Sequence, residues 1–148
     1  MQLTRQTDYA IRALVYTTYH QDRLVNITEI AEYFKISRSH LAKIVATLSE
    51  HGFLKSIRGK GGGLKLRKPP IDINLGEVVR TFETFDLVAC TATPQKERDE
   101  LTKHCGFNPI LVSAMNAFLA VLDRYTLADI AITQDANPTI NMALIKSL

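Results

Sequence analysis

Apolar side chains recur along the first fifty residues at intervals of three and four. Ala10, Ile11, Leu14, Val15 and Thr18 share one face of a helix predicted over Leu3–Tyr19. Thr4 is its expected cap, and Asp8 lies in its first turns, where a carboxylate suits the helix dipole. A polar connection, Gln21 to Val25, follows. Asn26 and Glu29 have the spacing of a capping box, and Ile27, Ile30, Ala31 and Phe34 repeat as one buried helical face. Lys35-Ile36 makes a tight turn. Ser37 is expected to cap the next helix, which runs to Leu48, with Ile36 stapled against Leu41. Leu41, Ile44, Val45 and Leu48 form its core face. The period then shortens. Strands are predicted at Phe53–Arg58 and Leu64–Arg67, joined by Gly59-Lys60-Gly61-Gly62-Gly63, where glycine allows the positive φ of a tight hairpin.

Pro69-Pro70 breaks the pattern. Asn74 and Glu77 repeat the cap spacing before a short helix with Leu75, Val78, Val79 and Phe82 on one face. Thr84 to Gly106 is irregular and polar. Asn108-Pro109 is a good helix start, a capping side chain followed by proline at the first helical position. That helix is predicted to reach about Tyr125. Leu111, Met115, Phe118, Leu122 and Tyr125 form a heptad-like seam, widened by Ile110, Ala114, Ala117 and Val121. So much apolar surface exceeds what one small domain covers, and a homodimer seam is expected. Gln134 to Leu148 carries no clear signal. The expected fold is mainly α with a small β wing: a winged helix-turn-helix domain over 1–68, a connecting helix and cysteine-bracketed loop over 69–106, and a dimerisation helix with a tail over 107–148.

Charge sharpens this picture. The net +3 hides an asymmetry: residues 1–68 hold 12 Lys/Arg against 5 Asp/Glu, and residues 69–148 hold 6 against 10. A basic first half suits a polyanion, and the acidic second half suits a control or assembly module. On the outer face of helix 37–48, short side chains let the axis approach base edges. Ser37, Arg38, Ser39, His40 and Lys43 can contact phosphate or base, and Arg58 and Lys60 crown a hairpin with no acid between Phe53 and Ile71. Double-stranded DNA is the expected partner. The glycines lack the order of a phosphate-cradling P-loop. With 148 residues, 46% of them hydrophobic, the chain is long enough for a core and too apolar for disorder. No run approaches the ~18 apolar residues of a membrane span, and no signal core follows Met1, so the cytoplasm is expected. There the two cysteines, Cys90 and Cys105, are ligands, a redox switch or ordinary thiols. A disulfide closing their loop would contribute ~3 kcal/mol. There is no C-x-x-C, no dinucleotide fingerprint and no evident acid–base pair, so an enzyme is not expected.

Several stretches resemble a known family. These are Met1-Gln2-Leu3-Thr4, Thr7 to Leu14, Ile36 to Leu41, and Arg58-Gly59-Lys60-Gly61-Gly62-Gly63. They resemble the winged-helix, iron–sulfur-type transcriptional regulators of the IscR/NsrR family. Leu87-Val88-Ala89-Cys90 and Tyr125-Thr126-Leu127-Ala128-Asp129 look most like its nitric-oxide-sensing branch. The resemblance spans Met1 to about Ile130. It implies a dimeric repressor with crossed long helices and an iron–sulfur cluster. Cys90 and Cys105 match the first and last of the family's three cysteine ligands, and Asp8 matches an acidic ligand given by the other subunit. The middle cysteine has no counterpart between Thr91 and His104. His104 is a conceivable ligand, but it adjoins Cys105, which makes joint ligation of one iron awkward. The expectation is a homodimeric repressor sensing nitric oxide or redox state through a cluster. The alternative is a cluster-free repressor of the same fold, switched by thiol oxidation or not by this loop.

Overall fold

The computed structural model describes residues 3–85 and 107–131. In chain order these form α1 (Arg5–Tyr19), α2 (Ile27–Phe34), α3 (Arg38–Glu50), β1 (Leu54–Ile57), β2 (Gly63–Leu66), a 3-10 turn (Pro70–Asp72), α4 (Leu75–Phe82), α5 (Phe107–Leu122) and α6 (Leu127–Ala131). The fold is mainly helical with a two-stranded wing, as the periodicities predict.

The core is built around α1, which packs on α2, α3, α4, α6 and β2. Contact from so many directions explains why its buried surface is wider than the predicted stripe. Ala13, Tyr16 and Thr17 are buried, whereas Ile11 and Thr18 are only half-buried. The Thr17 hydroxyl donates to the Ala13 carbonyl at 2.8 Å, so its burial leaves no orphan donor.

The tandem helices follow local chemistry. Asn26 and Glu29 form the reciprocal capping box of α2. That helix ends with Lys35 in the left-handed region (φ 55°), and the Ile36 N–H reaches back to the Ala31 carbonyl at 2.9 Å. This turn aims α3 away from α2. Ser37 precedes α3 but its side chain does not cap it. The hydroxyl lies 2.8 Å from that of Ser39 instead, which corrects the expected capping role. Ile36, Leu41, Ile44, Val45 and Leu48 are all buried.

The wing pairs antiparallel, Leu54 opposite Leu66 and Ile57 opposite Gly63. Its turn uses positive φ at Gly59 and Gly61. Leu54 and Leu64 enter the core while Lys55 and Lys65 face solvent. Val25, just before α2, adds a bridge to the hairpin: its N–H donates to the Leu64 carbonyl at 3.0 Å, and its carbonyl accepts from the Leu64 N–H at 2.8 Å.

At the other end, Asn74 caps α4 by accepting from the Glu77 N–H at 3.1 Å. The described part of α5 begins at Phe107, so Asn108 and Pro109 sit inside its first turn and not at its cap. It ends at Leu122, short of the predicted Tyr125, because the chain turns back onto α4. Leu75 N–H donates to the Tyr125 carbonyl at 3.0 Å, Leu127 N–H to the Ile73 carbonyl at 2.8 Å, and Arg80 holds both Asp123 oxygens at 2.6 Å. The short α6 was not among the expected elements. Its signal was present: Asp129 accepts from the Thr126 N–H and hydroxyl at 2.6 and 2.8 Å, a cap at three-residue spacing. Those bonds hold its carboxyl below the usual range. Among the described residues no helix is long and apolar enough to cross a membrane.

Candidate nucleic-acid interface

α3 divides cleanly. Its buried residues face the core, and Ser37, Arg38, Ser39, His40, Ala42, Lys43 and Ala46 are all exposed. Ser39, Lys43 and Ala46 follow each other along the exposed centre, with Arg38 and His40 on its two flanks. A ridge of small and polar side chains on a protruding helix can enter a duplex groove without steric conflict. Arg58 and Lys60, also exposed, lie at the wing tip.

The ion pairs show which cations serve the fold. Arg12 pairs with Asp8, Arg23 with Glu29 and Arg80 with Asp123. Among the described residues, no ion pair involves Arg38, Lys43, Arg58 or Lys60, nor Lys55, Lys65, Arg67 or Lys68 of the wing and its exit. The basic excess of the first half is therefore an open surface and not an internal lattice of salt bridges.

Two polar clusters brace α1, one against α2 and one against α4. Glu29 accepts from the Tyr16 hydroxyl at 2.8 Å and from the two guanidinium arms of Arg23. Those donors, Arg23 foremost, hold its carboxyl at about 2, while burial pushes the Tyr16 hydroxyl up. The cluster locks α1 to the start of the helix-turn-helix. Glu83, at the end of α4, caps α1 from outside: it accepts from the Thr4 N–H at 2.7 Å, the Thr4 hydroxyl at 3.0 Å and the Thr7 hydroxyl. No local pattern could have revealed Glu83, since its partners lie more than seventy positions earlier.

The residues named for a metal fare differently. Cys90 and Cys105, with His104, fall outside the described residues. Asp8 lies in the first turn of α1, where its two oxygens accept from Arg12 Nε at 2.8 and 3.0 Å. Arg12 in turn stacks over the Phe34 ring, 5.6 Å from its centre. Among the described residues no group of three or more His, Cys, Asp or Glu assembles. Clusters are ordinarily held by four ligands, mostly thiolates. This chain has two cysteines, and its candidate carboxylate is already engaged by a guanidinium. The chain thus carries one cysteine fewer than the three that the family resemblance implies.

A protruding helix after a tight turn, followed by a basic hairpin, defines the class: a winged helix-turn-helix protein of the kind that reads duplex DNA. The Rrf2 family, described as iron-dependent transcriptional regulator, matches residues 3–133. The chain belongs to the Rrf2 family of transcriptional regulators, and it is not an enzyme. It is 43% identical over 137 residues to the HTH-type transcriptional regulator NsrR of Bacillus licheniformis, covering 91% of this chain and 95% of that protein. Its identity to the NsrR of Bacillus subtilis strain 168 is 42% over 132 residues, 88% of this chain and 90% of that one. Among solved structures it is similar to T. potens IscR, with a TM-score of 0.67 at 26% identity, covering 93% of this chain and 89% of that chain.

Proposed function

We propose that the protein is a cytoplasmic, homodimeric, cluster-free transcriptional repressor in which α3 reads the major groove and the wing holds the adjacent backbone. One observation carries the reading: the exposed α3 face and the wing hold cations with no acidic partner among the described residues. Dimerisation is supported by α5, where Ile110 and Val121 are 64% and 50% exposed and Leu111, Met115, Phe118 and Leu122 are only half-buried. An apolar helix in that state suits a second copy. The switch is assigned to the thiols of Cys90 and Cys105. A diazene oxidant takes two electrons and two protons from the pair, forming one S–S bond and the hydrazine.

The test uses a duplex selected from a random pool by the parent protein. Arg38→Ala and Lys43→Ala are each expected to weaken binding at least tenfold, and diamide to change the affinity of the parent but not of Cys90→Ser. Parental affinity in both α3 variants would overturn the reading face. The 42–43% identity to two NsrR regulators favours a second reading, in which an iron–sulfur cluster senses nitric oxide. Matched iron and acid-labile sulfide in anaerobically purified protein would decide for it.

A further inference from the structure

We propose that Arg5 is a phosphate-contacting residue and that the groove between α1 and α3 seats one strand of the duplex backbone. This rests on the DNA-reading assignment and extends it to a helix outside the tandem pair.

The groove has a volume of about 490 Å³. One wall is a stripe of α3: His40, Lys43, Ile44 and Thr47, spaced i, i+3, i+4, i+7. Arg5, Gln6 and Tyr9 of α1 face it, with Phe82 at the end of α4. No acid is among the lining residues. The acids closest in sequence to Arg5 and Phe82 are committed elsewhere, Asp8 to Arg12 and Glu83 to Thr4 and Thr7. Lys43 belongs both to this wall and to the exposed centre of α3, so the groove opens beside the reading face. A helix lying in a major groove has phosphates along both flanks, since that groove is only ~12 Å wide. On the His40 flank, the strand must pass over α1.

Arg5 itself is oddly placed for stability. It is exposed, makes no hydrogen bond or ion pair among the described residues, and opens α1, where the helix dipole favours an acid over a cation. A cation kept where it opposes the dipole is explained by an anion that it meets in the complex. The contact is made by the side chain. The Thr4 and Thr7 N–H groups are already taken by Glu83 and by the Thr4 hydroxyl.

The experiment compares the full chain with Arg5→Gln and Arg5→Lys by fluorescence anisotropy on the selected duplex across a potassium chloride series. Arg5→Gln should lower the slope of log K against log salt by about 0.9 per protomer, or ~8-fold in affinity between 1 M and 0.1 M salt. Its base preference should be unchanged and its Tm equal to or above the parent's. Arg5→Lys should keep most of the slope. A parental slope in Arg5→Gln alongside weakened binding by Lys43→Ala would overturn this inference and leave the reading face standing. Failure of the parent to bind any duplex at low salt would remove both. An Arg5-dependent rise in Tm with pyrophosphate, with duplex affinity unaffected by Arg5→Gln, would overturn it in favour of a small-anion site.

Discussion

Replacing Glu83 by alanine should cost the protein about 2–3 kcal/mol. The carboxylate accepts from two groups of Thr4 and from the Thr7 hydroxyl, and Thr7 is fully buried. Its remaining hydroxyl neighbour, that of Thr4, is a long 3.4 Å away. Stranding a buried hydroxyl costs about 1–3 kcal/mol. Removing a negative charge from a helix N-terminus costs about 0.3–1 kcal/mol more. For a chain of this size each kcal/mol lowers Tm by roughly 2–4 °C, so the expected fall is about 8 °C, read by circular dichroism and checked by urea titration. Glu83→Gln separates the two contributions. It keeps an acceptor oxygen and loses only the charge, so it should cost about 1 kcal/mol or less. An alanine variant within ~0.5 kcal/mol of the parent, or one no worse than the glutamine variant, would refute the reasoning.

Two further substitutions test the frame around the reading face. Glu29 is held at about 2 by Arg23, so the stability it contributes is present above the ordinary carboxylate value of 4.5 and lost as pH falls toward 2. Glu29→Gln should therefore lower stability at pH 7 and flatten the decline between those pH values, as urea titrations at stepped pH would show. A Cβ on Gly62 would lie 2.2 Å from the Ile57 carbonyl oxygen, which is backbone and cannot swing aside. Gly62→Ala should distort the wing and weaken duplex binding several-fold while leaving the helical circular dichroism signal intact.

Local chemistry was readable from the residues alone. The Asn26–Glu29 box, the Thr4 and Asn74 caps and the glycine-built hairpin all depend on neighbours within a few positions. So does the exposed ridge of α3, since a 3.6-residue period fixes which side chains oppose the core. What escaped was made by chain segments far apart. Glu83 finds Thr4, Asp123 finds Arg80, and Val25 finds Leu64, none of which a periodicity can announce. Ser37 does not cap α3, and its hydroxyl lies beside that of Ser39, a side-chain pairing that the cap spacing does not announce. The breadth of α1's buried surface escaped because helices and the wing cover it from several sides. Asp8 reads two ways from sequence, and the structure gives it a third occupation, a guanidinium from one turn along its own helix.

The bridge between Val25 and Leu64 has a consequence for the DNA. Gly63 leaves no room for slack there, since a Cβ would fall 2.9 Å from both Leu24 Cβ and the Val25 carbonyl oxygen. The wing is thus fastened to the very residue that precedes the α2 cap. With the wing fastened at its base, wing and α3 act in the proposed complex as the two jaws of a caliper set to one opening. An operator is then measured as a length as well as spelled as a sequence: a duplex with the right bases but an altered helical pitch offers them at the wrong span.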